Sequence, residues 1–108
     1  MTGWGAADST EVDKRAVPRP GGPYPQYPRE LRERDIEGTV RLLFVVDTLG
    51  RAEMCTVRVM VSTDPLFTQA VLDVLPRMRF FTAERAGLKV RQRLELPVEF
   101  RLSRPRSP

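Results

Sequence analysis

The sequence predicts an α+β fold: a two-layer domain with a three-stranded antiparallel sheet packed on one main helix, plus a short N-terminal helix. Three stretches carry that prediction. Residues 90–102, VRQRLELPVEFRL, place Val90, Leu94, Leu96, Val98, Phe100 and Leu102 at even positions, with Gln92 the exception. The odd positions, Arg91, Arg93, Glu95, Glu99 and Arg101, are charged, apart from Pro97. A period of two marks a strand with one face on a core and one in water. Residues 39–47, TVRLLFVVD, and 51–61, RAEMCTVRVMV, are rich in β-branched side chains and flank a glycine-containing turn. From Leu66 the apolar residues Phe67, Ala70, Val71, Val74, Leu75 and Met78 recur at helical spacing.

The elements follow in order. Residues 1–22 lack an apolar period and contain Gly3, Gly5, Pro18, Pro20, Gly21 and Gly22, so they read as a flexible linker or arm. Trp4 is its one bulky residue. Pro23, Pro25 and Pro28 favour an extended lead-in, with Tyr27 pinning it or presenting a ring to a partner. Pro28 suits the start of a short helix over RELRER, with Leu31 its apolar contact. Ile36, Glu37 and Gly38 end that helix and open the first strand. Val40, Leu42, Phe44 and Val46 form its core face. Leu43 and Val45 make the opposite face apolar as well, which marks a central strand or a contact with a second subunit.

Thr48, Leu49 and Gly50 predict a hairpin turn. Cys55, within the returning strand, reads as a small packed residue. Thr63 or Asp64 is the natural N-cap of the main helix, with Pro65 in its first turn and Pro76 ending it. Phe80 or Phe81 then enters the core, and residues 83–89 read as a turn. The domain spans 23–103, and 104–108 form a disordered basic tail. The hairpin and the helical return put the first strand in the middle, in the order second, first, third. Proline lacks a ladder donor, so Pro97 fits an edge strand whose missing N–H faces outward. Such an edge can accept a strand from another chain.

The 108 residues suit one small domain and carry a net charge of +4. No stretch approaches a membrane span and the opening residues lack a secretory apolar run, so the chain as given reads as soluble. With no histidine and one cysteine, a Cys/His metal site, a Ser–His or Cys–His pair and an intrachain disulfide are all excluded. No catalytic residue, metal or cofactor is expected. Residues 77–108 carry nine basic groups against Glu84, Glu95 and Glu99, which reads as a solvated strand face or an anion-attracting surface. Phe44, Phe67 and Phe100 fall on core-facing positions instead of among the arginines, so no nucleic-acid partner is expected.

PQYP at 25–28, LR at 31–32 and IEGTVRLLFVVDTLGR at 36–51 resemble the C-terminal domain of TonB, the energy transducer. TVRV at 56–59, RMRF at 77–80, AGLKV at 86–90 and LPVEF at 96–100 follow in the same order, so the resemblance covers 24–102. One departure is Thr82, where that family usually carries a proline. The resemblance implies a periplasmic domain of a protein anchored in the inner membrane by an N-terminal helix and driven by an ExbB–ExbD-type motor. It implies that the domain grips the TonB box of an outer-membrane receptor by strand addition, coupling proton motive force to uptake. The implied partner-binding residues are Pro25, Gln26, Tyr27 and Pro28 together with the edge residues Arg91, Arg93, Glu95, Pro97, Glu99 and Arg101. The competing readings are a homo-oligomerising structural module that pairs the same edge with its own copy as a homodimer, a small enzyme, and an anion binder using the arginine face.

Overall fold

The computed structural model describes residues 12–102. Trp4 and the tail at 104–108 lie outside the described residues. The elements run β1 (Val17–Pro18), α1 (Arg29–Glu33), β2 (Gly38–Val46), β3 (Ala52–Ser62), α2 (Pro65–Val74), a 3-10 turn (Leu75–Arg77), β4 (Phe80–Phe81), β5 (Ala83–Arg85), β6 (Leu88–Val90) and β7 (Gln92–Phe100). The main sheet has the order β3-β2-β7, with both outer strands antiparallel to β2. This is the expected α+β arrangement with the first long strand central.

β2 is central, with its even residues from Val40 on buried in the core. Val40, Leu42, Phe44 and Val46 are buried against Phe67, Val71 and Leu75 of the helical layer and against Phe80. On the other face Val45 is only 6% exposed, flanked in register by Glu53 of β3 and Arg93 of β7. Val45 therefore needs no second subunit to cover it. α2 starts where the Asp64 side chain accepts the Leu66 N–H at 2.8 Å, with Pro65 as the first helical residue. Pro76 lies in the 3-10 turn that ends it.

The β2–β3 turn is closed by Asp47, whose Oδ1 accepts the Leu49 and Arg51 amides at 2.8 and 3.0 Å. Gly50 takes φ +81°, and a Cβ there would come within 2.4 Å of the Phe80 carbonyl oxygen. Only glycine combines that dihedral with that approach.

Four expectations need correction. Cys55 is exposed, because β3 shifts register twice against β2 and its middle leaves simple alternation. Residues 83–89 are more than a turn: β5 and β6 form a hairpin closed by Ala86 and Gly87, both at positive φ. The final strand does not run unbroken from 90 to 102. Val90 pairs with Ala83, Arg91 is a break, and pairing with β2 covers only Gln92–Phe100. The free arm over 1–22 is corrected for residues 13–19, which dock as β1 and its flanks along Arg79–Ala86, with Ala16 1% exposed. Most of their hydrogen bonds are made by backbone groups, which leave no apolar period in the sequence.

Candidate strand-pairing interface

β7 pairs with β2 through nine consecutive residues without a shift, from Gly38↔Phe100 to Val46↔Gln92. On its other side it has no neighbouring strand among the described residues. The direction of its backbone groups follows from β2. The Thr39 N–H donates to Thr63 Oγ1 at 2.9 Å and its carbonyl accepts the Thr63 N–H at 3.0 Å. The Val45 N–H donates to Thr56 Oγ1 at 2.9 Å. Odd residues of β2 thus aim at β3 and even ones at β7. Antiparallel pairs alternate between bonded and non-bonded, so the odd residues of β7 turn their N–H and C=O groups away from β2. Glu95 and Glu99 present both groups at the edge. Pro97, opposite Arg41, presents only its carbonyl, and its missing N–H costs the sheet nothing.

The opposite edge, β3, is irregular. Met60 is an extra residue between Val59 and Val61, which pair with the adjacent Leu42 and Arg41. A larger step separates Arg58 from Glu53, and Thr56 holds it by donating to the Glu53 carbonyl at 2.6 Å while accepting from Val45. Bulges of this kind blunt an edge against further pairing. β7 is therefore the better template.

Charge pairs brace the solvent face of β7. Arg41 bonds Glu95 at 2.9 Å across the strands. Arg91 grips Glu53 with two nitrogens at 2.7 and 2.8 Å, and that hydrogen bonding raises the Arg91 pKa above its ordinary value against some desolvation. Arg101 bonds Glu99 at 2.6 Å, which raises its pKa too. Glu37 accepts the Leu102 N–H at 2.7 Å and closes the end of the strand.

The structure sorts the expected partner residues. Arg93, Glu95, Pro97 and Glu99 lie on the outer edge of β7. Arg91 precedes the strand and is committed to Glu53. Arg101 follows the strand. Tyr27 is an internal anchor: its hydroxyl donates to the Ile36 carbonyl, and its ring meets Phe67 and Phe100 edge-on at 5.5 and 5.7 Å. Through Phe100 it ties the lead-in to the far end of β7. Gln26 and Pro28 border an open groove of about 500 Å³ against the Leu66, Ala70 and Val74 face of α2. Gln92 is the polar interruption of the apolar even positions. It is 1% exposed, and its Oε1 accepts the Ala16 N–H at 2.6 Å. The interruption itself was the signal.

Among the described residues no group of three Cys, Asp or Glu side chains is placed to hold a metal, and no helix is long and apolar enough to cross a membrane. A family model described as Gram-negative bacterial TonB protein C-terminal matches residues 23–102. Among solved structures, the solution NMR structure of the Pseudomonas aeruginosa TonB CTD is similar to this chain, with a TM-score of 0.67 and 25% sequence identity. That match covers 93% of this chain and 97% of the other. A search of curated proteins gave no significant match.

Proposed function

The chain belongs to the Gram-negative bacterial TonB C-terminal family, and we propose that it is the receptor-binding end of a TonB-type energy transducer. In this reading the domain works in the periplasm and grips the TonB box of an outer-membrane transporter as a strand added to β7. The pull comes from an ExbB–ExbD-type motor in the inner membrane, through an anchor that precedes the domain, and couples proton motive force to uptake. The task is binding and force transfer, with no catalytic step.

The observation that carries this reading is the unshifted edge of β7, with the backbone groups of Glu95, Pro97 and Glu99 turned outward. An added strand gains backbone hydrogen bonds of about 1 kcal/mol each, and these depend little on partner sequence. A clasp built this way serves several receptors. Pro97 leaves one gap in the ladder, so the incoming segment meets the Arg93–Glu95 part and the Glu99 part as two short runs. Pro25, Gln26 and Pro28 supply a secondary surface near the Phe100 end, while Tyr27 holds that surface in place.

Proline at position 95 tests the reading. Glu95 turns its N–H outward, so Glu95→Pro spares the backbone pairing with β2 and removes a donor from the outer ladder, together with the exposed Arg41–Glu95 ion pair, which is worth little. Calorimetric titration with a TonB-box peptide should show about tenfold or greater weakening, given the loss of one charge-independent backbone bond and its neighbours' register. Unchanged affinity with an intact circular dichroism spectrum would overturn strand addition on β7. A dimeric mass by sedimentation, with no peptide binding, would point instead to self-pairing of the same edge.

A further inference from the structure

Residues 13–19 lie outside the span matched to the family, yet they dock along its flank. The Asp13 and Lys14 amides donate to the Glu84 carbonyl at 2.7 and 3.1 Å, and the Glu84 amide donates back to the Lys14 carbonyl at 3.0 Å. The Arg19 amide donates to the Arg79 carbonyl at 2.9 Å, and Val17 and Pro18 pair with Phe81 and Phe80. Apolar burial is slight: Ala16 is buried, but Val17 is 46% exposed and Pro18 is exposed. A segment held by hydrogen bonds with little core burial sits at the low-stability end of a fold, because those bonds barely outweigh the entropy of ordering the backbone.

Ala16 is where this segment meets the edge strand. Its N–H donates to Oε1 of Gln92, the first residue of β7. Gln92 is the one buried polar residue among the described residues, and its Nε2 meets no acceptor among them. The other even positions of β7 are apolar. An apolar side chain at 92 would leave the Ala16 N–H buried without an acceptor, which costs more than an ordinary hydrogen bond returns. Gln92 thus supplies the acceptor that docking requires. Its unmatched Nε2 favours the open state, where water reaches the whole amide.

We propose that residues 13–19 form a releasable strap latched by Gln92, and that its release loosens the head of β7. Among the described residues the strap holds the first strand in chain order. This inference goes beyond the receptor reading and stands whether or not the edge takes a receptor strand.

Amide hydrogen exchange on the full chain tests it. In the wild type, Lys14, Ala16 and Arg19 should exchange together, through an opening about a hundredfold or more frequent than that exposing the β2 core amides of Leu42 and Phe44. Gln92→Leu should speed exchange at Lys14, Ala16 and Arg19 about tenfold and raise it at Leu94, leaving Leu42 and Phe44 unchanged. Ala16→Pro removes the donor from the strap and alters no residue of the sheet, so it should speed Lys14, Arg19 and Leu94 alike. It decides alone if Gln92→Leu also weakens the core. Strap amides as slow as Leu42, or unchanged exchange at Lys14 and Arg19 in Ala16→Pro, would overturn the latch. An unchanged Leu94 in a chain whose strap has opened would overturn its coupling to the edge.

Discussion

Replacing Tyr27 separates an anchor from a partner contact. Its hydroxyl donates to the Ile36 carbonyl, and its ring stands edge-on to Phe67 and Phe100 at 5.5 and 5.7 Å. Tyr27→Phe removes only the hydrogen bond and should cost about 1 kcal/mol. Tyr27→Ala also removes two ring pairs, each about 0.5–1.5 kcal/mol beyond area burial, and the burial of a half-covered ring. The total loss should be about 3 kcal/mol, below the upper range for a fully buried aromatic. Urea unfolding followed by circular dichroism reads both values, and the Phe variant should melt roughly 4–8 °C lower. Peptide affinity of Tyr27→Phe should stay within about twofold of wild type, since the ring that props Phe100 remains. Wild-type stability in Tyr27→Ala, combined with lost peptide binding, would refute the anchor and make Tyr27 a direct contact.

Other substitutions probe the frame. Gly50→Ala puts a Cβ within 2.4 Å of the Phe80 carbonyl at a positive φ and threatens the 2.8 Å bond from the Phe80 N–H to the Gly50 carbonyl. It should cost about 2–3 kcal/mol in thermal unfolding. Asp64→Ala removes the cap on the Leu66 N–H and should cost about 1 kcal/mol by the same assay. Pro97→Val should change stability by no more than about 0.5 kcal/mol, because the Pro97 nitrogen faces away from β2. Calorimetry of that variant should show peptide binding equal to or tighter than wild type, since valine adds a donor to the outer ladder.

What was legible in the sequence is what side-chain periodicity records. The even apolar positions of β2, the helical stripe from Phe67 to Leu75 and the Asp64 cap each report a local rule, and the proline in β7 reported which strand lies at the edge. What escaped is carried by backbone pairing or by broken periodicity. The strap at 13–19 docks mainly through main-chain hydrogen bonds, so only Gln92, a polar residue in an apolar series, hinted at it. The bulges of β3 moved Cys55 into solvent, and nothing in the alternation of Val57, Val59 and Val61 announces where an extra residue will fall. Arg91 matched the charged odd positions of the final strand, yet Glu53, brought near by the β2–β3 hairpin, holds it where the strand breaks. Of the candidate site, the Arg93–Glu99 edge was readable from period and proline. The inward role of Tyr27 was one of two open readings, because choosing it depends on Phe67 and Phe100 meeting in space.

The most direct test of the central claim is a titration of the isotope-labelled domain with a TonB-box peptide, followed by backbone amide shifts and amide exchange. The account predicts new protection at Glu95 and Glu99, whose N–H groups face outward, with Leu94, Leu96 and Val98 already slow because they bond β2. A response confined to β3, or fast exchange at Leu94, Leu96 and Val98 in the free domain, would contradict it.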